Sequence, residues 1–276
     1  MKRAMLLILL VLSISRWSMA ADSSVPFELH RGYLIVVQCS IGELANLTCI
    51  IDTGVTESVV DTRLVQRLSL ATRADSAMFL TQEVPVVAVS IPSLHLGPIR
   101  TGLLAGIATD LSSLTVHFGI RPDVLIGMDV LHQANLVIDY KARQVLFTTS
   151  PVLRHSVRLA SDPRLALVES TIMGQRLLLQ VDTGFQGLLL YGRRSGTPAG
   201  LAYGKSFVEN AARTLTAVSL DSSEVRIGNW RASQVEVSIL ERAPRETLDF
   251  DGLIGPQVLR ARRIAFDFDT NTLSWE

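Results

Sequence analysis

A chain of 276 residues with 48% hydrophobic and 19% charged side chains can bury a sizeable core, which excludes the disordered and fibrous classes. Its 26 basic and 26 acidic side chains balance, so no strong field draws it to nucleic acid. The length admits one large domain or two of roughly 120 residues.

The chain begins with Lys2 and Arg3, an apolar run from Ala4 to Ile14, and the small residues of Ser18-Met19-Ala20 before Ala21. That is the layout of a secretory signal peptide, with residues 1–20 removed near Ala20. The run is far shorter than the twenty or so residues a spanning helix needs, and no later stretch comes closer, so stable membrane insertion is not expected. No cysteine follows until Cys39, so a lipid attachment residue is missing as well. The expectation is an exported protein, periplasmic or secreted, of about −3 charge once Lys2, Arg3 and Arg16 are gone.

Strands rich in Val, Ile and Leu, broken by Gly, Asn and Pro, follow at Tyr33 to Ile41, Leu47 to Ile51, Val84 to Ile91 and Leu136 to Tyr140. The first two read as a hairpin turning near Gly42 to Ala45, which sets Cys39 and Cys49 about symmetrically across it. In an export context these two are either a structural disulfide or simply core residues. Helices are few and brief: Asp61 caps one through Leu68, and Gly127 to Gln133 reads as one amphipathic piece with Gly at its start. Turn-forming and polar residues interrupt the pattern from Thr148 to Pro163.

Beyond that join the chain repeats itself. Ile51-Asp52-Thr53-Gly54 recurs as Val181-Asp182-Thr183-Gly184, 130 residues later. Leu125-Ile126-Gly127 recurs as Leu253-Ile254-Gly255 and Val137-Ile138-Asp139-Tyr140 as Ala265-Phe266-Asp267-Phe268, both at an offset of 128. Leu96-Gly97 and Ile227-Gly228 form a weaker pair at 131. Four landmarks in one order at nearly one offset indicate a duplicated domain. The reading is all-β: two mainly antiparallel lobes, residues 25–150 and 151–276, each with a buried strand pair leading into Asp-Thr-Gly.

In such a triplet the carboxylate serves as acid or base, the hydroxyl holds it in place, and Gly admits a facing loop where a Cβ would block it. Chance supplies roughly 0.05 such triplets in a chain this long, and an ordinary Asx turn at a strand end is the bland alternative. Two copies, each ending an aliphatic strand and each followed at similar distance by Leu-Ile-Gly, speak against it.

These residues resemble the two-lobed aspartic proteases, in particular the bacterial retropepsin-like branch with small lobes. Ile50 to Thr56 and Val124 to Gly127 fit the first lobe; Gln180 to Phe185 and Gly252 to Gly255 fit the second. The resemblance spans residues 31–276 and is strongest at these four segments. It implies a pseudo-dimer of two acid-protease-like β-barrel lobes with a psi-shaped crossing at Gly127 and Gly255. It implies Asp52 and Asp182 as the catalytic pair, supported by Thr53, Gly54, Thr56, Thr183 and Gly184. A monomer then completes the site, needs no cofactor or metal, and acts as an endopeptidase on a peptide or protein.

Two departures stand out. The family commonly has Ser or Thr two residues after the Gly, bonded to the catalytic carboxylate; Thr56 fits, but the second copy has Gln186, which implies a different setting for Asp182. A covering hairpin with glycines at its tip is also expected before Leu96, yet Asp75 to Ala88 contain none, and only Ser195 to Gly204 offer a comparable stretch. A non-catalytic peptide- or protein-binding module on the same fold is the rival reading. His30, His95, His117, His132 and His155 show no metal-ligand spacing, so no zinc site is expected. Asp139 and Asp267 recur in strand-turn contexts and read as structural.

Overall fold

The computed structural model describes residues 23–79, 82–149, 151, 153–160, 162, 164–192, 203–209, 214–240 and 248–276. The expected leader, and all but the last two residues of Ser195 to Gly204, lie outside them.

The first hairpin sets the pattern. Leu34–Ile41 pairs antiparallel with Leu44–Ile51, and Gly42 turns the chain at φ +55°, where a side chain would be strained. Alternation then sorts the residues: Ile35, Val37, Cys39 and Ile41 enter the main core, while Leu34, Val36 and Ile50 join Val59, Leu114 and Leu125 in a second apolar cluster on the opposite face. Cys39 lies opposite Leu47 and Cys49 opposite Val37, so the cysteines are diagonal neighbours. They are joined as a disulfide with Cα atoms 6.0 Å apart.

The strand Leu44–Ile51 then runs parallel to Val124–Ile126, which is antiparallel to Val59–Asp61, which is parallel to Leu104–Thr109. The second half repeats this: Gln175–Val181 is parallel to Gly252–Ile254, antiparallel in turn to Leu188–Tyr191, itself parallel to Trp230–Leu240. Residues 28–126 supply a ten-stranded sheet and residues 167–254 a seven-stranded one.

A third, six-stranded sheet joins the halves, with Ser23–Pro26, Gln144–Phe147 and Leu136–Asp139 on one side and Arg263–Asp267, Thr272–Trp275 and His155–Arg158 on the other. Its central pair sets Leu136 opposite Phe266, Val137 opposite Ala265 and Ile138 opposite Ile264. Val137 and Ala265 are equivalents in the repeat, so a pseudo-twofold axis passes between them. The weaker landmark is explained too: Gly97 and Gly228 hold matching left-handed turns at φ +57° and +56°. Asp139 and Asp267 accept backbone N–H bonds from Ala142 (2.7 Å) and Thr270 (2.9 Å), which are turn caps.

Among the described residues, three short helices complete the fold. Thr62–Arg67 is capped by Asp61, whose carboxylate accepts the Arg63 N–H at 2.9 Å. Met128–Leu131 starts after Gly127 as expected but stops short of Gln133. Ser113–Phe118, closed by Gly119 at φ +75°, has no counterpart among the sequence expectations. Among the described residues no helix is long and apolar enough to cross a membrane.

Candidate active site

Each Asp-Thr-Gly sits where a buried strand meets its parallel neighbour. The Asp52 N–H donates to the Ile126 carbonyl at 3.0 Å, and the Asp182 N–H to the Ile254 carbonyl at 3.0 Å. The parallel partner is the short strand ending at Gly127 or Gly255, and the need for glycine there is steric. A Cβ on Gly127 would lie 2.8 Å from the Val55 carbonyl oxygen, and one on Gly255 would overlap the Phe185 carbonyl. Asp123 and Asp251 clamp the same crossings: their carboxylates accept the N–H of Thr48 (2.9 Å) and of Leu178 (2.8 Å).

The two loops meet across the pseudo-twofold axis through their threonines, both fully buried. The Thr53 hydroxyl donates to the Val181 carbonyl at 2.7 Å and accepts the Thr183 N–H at 3.0 Å. The Thr183 hydroxyl reciprocates, donating to Ile51 at 2.9 Å and accepting the Thr53 N–H at 3.0 Å. Every donor and acceptor of this interlock is matched, which makes it rigid and costly to break. The carboxyls of Asp52 and Asp182 are thereby brought close enough to act on each other. Each lies over the glycine of the opposite loop: a Cβ on Gly184 would be 2.7 Å from Asp52 Oδ2, and one on Gly54 would overlap the Asp182 carboxyl. The Gly54 N–H donates to Asp52 Oδ1 at 2.9 Å and the Gly184 N–H to Asp182 Oδ1 at 2.8 Å.

Burial raises Asp52 above the ordinary carboxylate value, opposed by its bonds to Gly54 and Asp182. Burial and then the neighbouring Asp52 charge raise Asp182 well above it. Two carboxyls this close cannot both ionise cheaply, which favours a single proton held by the pair. Tyr191, buried beside them, is pushed up by burial and then by the Asp182 charge, so its phenol stays protonated.

The pair lies in a cleft of about 670 Å³ that draws on both halves. Leu34, Ile50, Ile107, Phe118 and Leu125 line one side; Phe185, Tyr191, Phe250 and Leu253 line the other. Over it stands the hairpin of Thr72–Phe79 and Gln82–Ile91, whose Asp75, Ser76 and Ala77 face the cleft. A second groove of about 550 Å³ shares Phe118, Gly184 and Phe185 with it and continues past Gln186 and Gln257.

Thr56 departs from the expectation. It is exposed, and its carbonyl and that of Val55 accept the N–H groups of Asp129 (3.1 Å) and Met128 (2.8 Å). Docking this backbone on the short helix turns the side chain outward, so its hydroxyl lines the cleft and makes no bond to Asp52. Gln186 is exposed in the same way, so this sequence difference leaves the bonding of the two carboxyls alike. The halves differ elsewhere. Ser58 donates to Asp129 at 2.7 Å and accepts the Gly127 N–H at 3.1 Å, whereas the Gly255 N–H goes to the Gly187 carbonyl at 2.7 Å. Sequence reasoning missed this Ser58–Asp129 lock, the paired clamps and Tyr191. The clamps had a signal, since Asp123 and Asp251 also stand 128 residues apart. Among the described residues no cluster of His, Cys, Asp and Glu is arranged to hold a metal ion.

Residues 37–130 match a protein family described as aspartyl protease. No curated protein sequence matches the chain. Among solved structures, the aspartic proteinase from Irpex lacteus superposes with a TM-score of 0.54 at 13% identity, covering 92% of this chain and 96% of that one. Residues 37–130 thus carry an aspartyl protease family sequence, and the chain as a whole has the all-β, two-lobed fold of the aspartic proteinases.

Proposed function

We propose that the protein is an exported, single-chain aspartic endopeptidase that arose by duplication, with Asp52 and Asp182 as its catalytic pair. The observation that carries this reading is the reciprocal threonine interlock, which holds two neighbouring carboxyls at the floor of a cleft between the halves. A pure binding scaffold has no physical need to bury two acids face to face.

Asp52 works as the base and Asp182 as the acid. A water between them loses a proton to Asp52 as its oxygen attacks the peptide carbonyl carbon, while Asp182 gives its proton to the carbonyl oxygen. The tetrahedral diol then collapses: Asp52 passes its proton to the leaving nitrogen, the C–N bond breaks, and a diol hydroxyl returns a proton to Asp182. Acid and amine leave, and the pair is restored without a covalent intermediate. The Thr72–Ile91 hairpin covers the peptide and excludes water, a role that does not require glycine at its tip. The leader at residues 1–20 delivers the chain to an oxidising compartment, in keeping with the Cys39–Cys49 bridge.

The test is to incubate the mature protein and its Asp52→Asn and Asp182→Asn variants with a diverse peptide library from about pH 3 to 8. Mass spectrometry should find cleavage by the parent and a loss of at least about 10³-fold in each variant. A folded parent that cleaves nothing across this range would transfer the proposal to a non-catalytic peptide-binding module.

A further inference from the structure

Position 180 in the second half corresponds to position 50 in the first, two residues ahead of each Asp. Ile50 and Gln180 are each 2% exposed, but Gln180 carries an amide into a place its counterpart fills with hydrocarbon. An amide buried without partners is costly, so where its bonds go matters. Its Nε2 donates to the Thr53 carbonyl at 3.2 Å, across from one half to the other. The amide's orientation follows from the partner, because a carbonyl oxygen only accepts.

The Thr53 carbonyl belongs to the same peptide group as the Gly54 N–H, which donates to Asp52 Oδ1 at 2.9 Å. A bond accepted at the oxygen of a peptide polarises it and strengthens donation by its N–H. Gln180, the Thr53–Gly54 peptide and Asp52 therefore form one chain of bonds ending on one carboxylate. The mirror-image chain is broken. The Gly184 N–H reaches Asp182 at 2.8 Å, but with Ile50 at the matching position no side chain among the described residues donates to the Thr183 carbonyl.

We propose that Gln180 is a positioning residue that makes the pair asymmetric, stabilising the ionised form on Asp52 and leaving the proton to Asp182. This rests on the paired-carboxyl reading above and adds what decides which carboxyl is the base. Among the described residues the other charged or titratable groups that line the cleft are Glu57, Asp75, Asp162, Arg164, Asp249 and Tyr191, and a substitution at position 180 leaves all of them in place.

Gln180→Met keeps a straight chain of similar length and removes both amide groups. With a peptide the parent cleaves, kcat should fall about three- to tenfold with KM little changed, as expected for one lost hydrogen bond to an ionised group. The acidic limb of the pH profile should move to higher pH. A residue that only packs would lower stability and rate without moving that limb. The decisive reading needs no cleavage: carbon-13 resonances of the aspartate carboxyls, followed from about pH 2 to 9. In Gln180→Met the lower titration step, assigned to Asp52, should rise, while the upper step, across which Asp52 is already ionised, should stay in place. In the exchange variant Ile50→Gln/Gln180→Ile the two assignments should trade places, which decides the matter if Gln180→Met does not fold. An unmoved lower step in folded Gln180→Met, or unchanged assignments in the folded exchange variant, would overturn the role of Gln180. A parent whose Asp52 and Asp182 titrate independently at ordinary carboxylate values would instead remove the paired-carboxyl reading itself.

Discussion

At Asp182 function and stability pull in opposite directions. Its carboxyl is raised by burial and by the Asp52 charge, so the folded chain binds that proton more tightly than the unfolded chain does. Stability from this site is therefore full below the ordinary carboxylate value and declines as pH rises from there toward the folded value. Asp182→Asn keeps an oxygen to accept the Gly184 N–H and removes the ionisation. The variant should be inactive yet melt higher than the parent at pH 7, by about 2–4 °C for each kcal/mol regained, with the difference closing below about pH 4. Thermal melts across pH check this, and an Asn variant less stable than the parent at pH 7 would contradict it. The catalytic candidates were legible in the sequence because the chemistry of Asp-Thr-Gly is local to three residues. Gln180 was not, because its partner Thr53 is 127 residues away and a lone Gln in a strand carries no signal of its own. Gln186 misled for a related reason. The sequence marks a change of residue type, and only the backbone decides that both it and Thr56 point outward.

Among the elements, the hairpin from Leu34 to Ile51 does most to present Asp52, and two runs rich in Val, Ile and Leu, broken near Gly42 to Ala45, were enough to find it. Its two faces serve two cores, which is why nearly the whole strand is apolar rather than every second residue. The bridge across it closes a sequence separation of 10 residues. Replacing both cysteines with Ala should cost about 2–3 kcal/mol, read as a lower denaturation midpoint, because the unfolded chain regains the freedom that the bridge removes. Equal midpoints for the bridged parent and the double variant would show that the hairpin needs no staple. The helix Ser113–Phe118 escaped sequence reasoning because Leu, Thr, Val and Phe in so short a run read equally well as a strand. Gly119 as its left-handed stop was the available clue. The joining sheet escaped as well, since strands of four or five residues drawn from both ends and the middle of a chain reveal no pairing until folded.

For the whole molecule, the proposed duplication accounts both for what matches and for what does not. The repeat offsets locate a twofold relation in the sequence, and the pairing of Val137 with Ala265 sets its axis in space. The main core runs from one half into the other through residues such as Ile138, Ile264 and Trp275, which supports the proposal that one chain completes the site. Because both halves lie in one chain, each can diverge: the Ser58–Asp129 lock belongs to one loop only, and Gln180 of one half serves the Asp of the other. A symmetric pair of identical chains has no such means of telling its two acids apart. On the proposed mechanism the two carboxyls share a proton and act as base and acid, and the pH dependence of kcat/KM for one cleaved peptide reads both roles. The profile should be a bell, with an acidic limb as Asp52 takes up a proton, an alkaline limb as Asp182 loses its own, and no activity at either side for Asp52→Asn or Asp182→Asn. A rate that rises along a single limb into alkaline pH, or that survives either substitution, would contradict it.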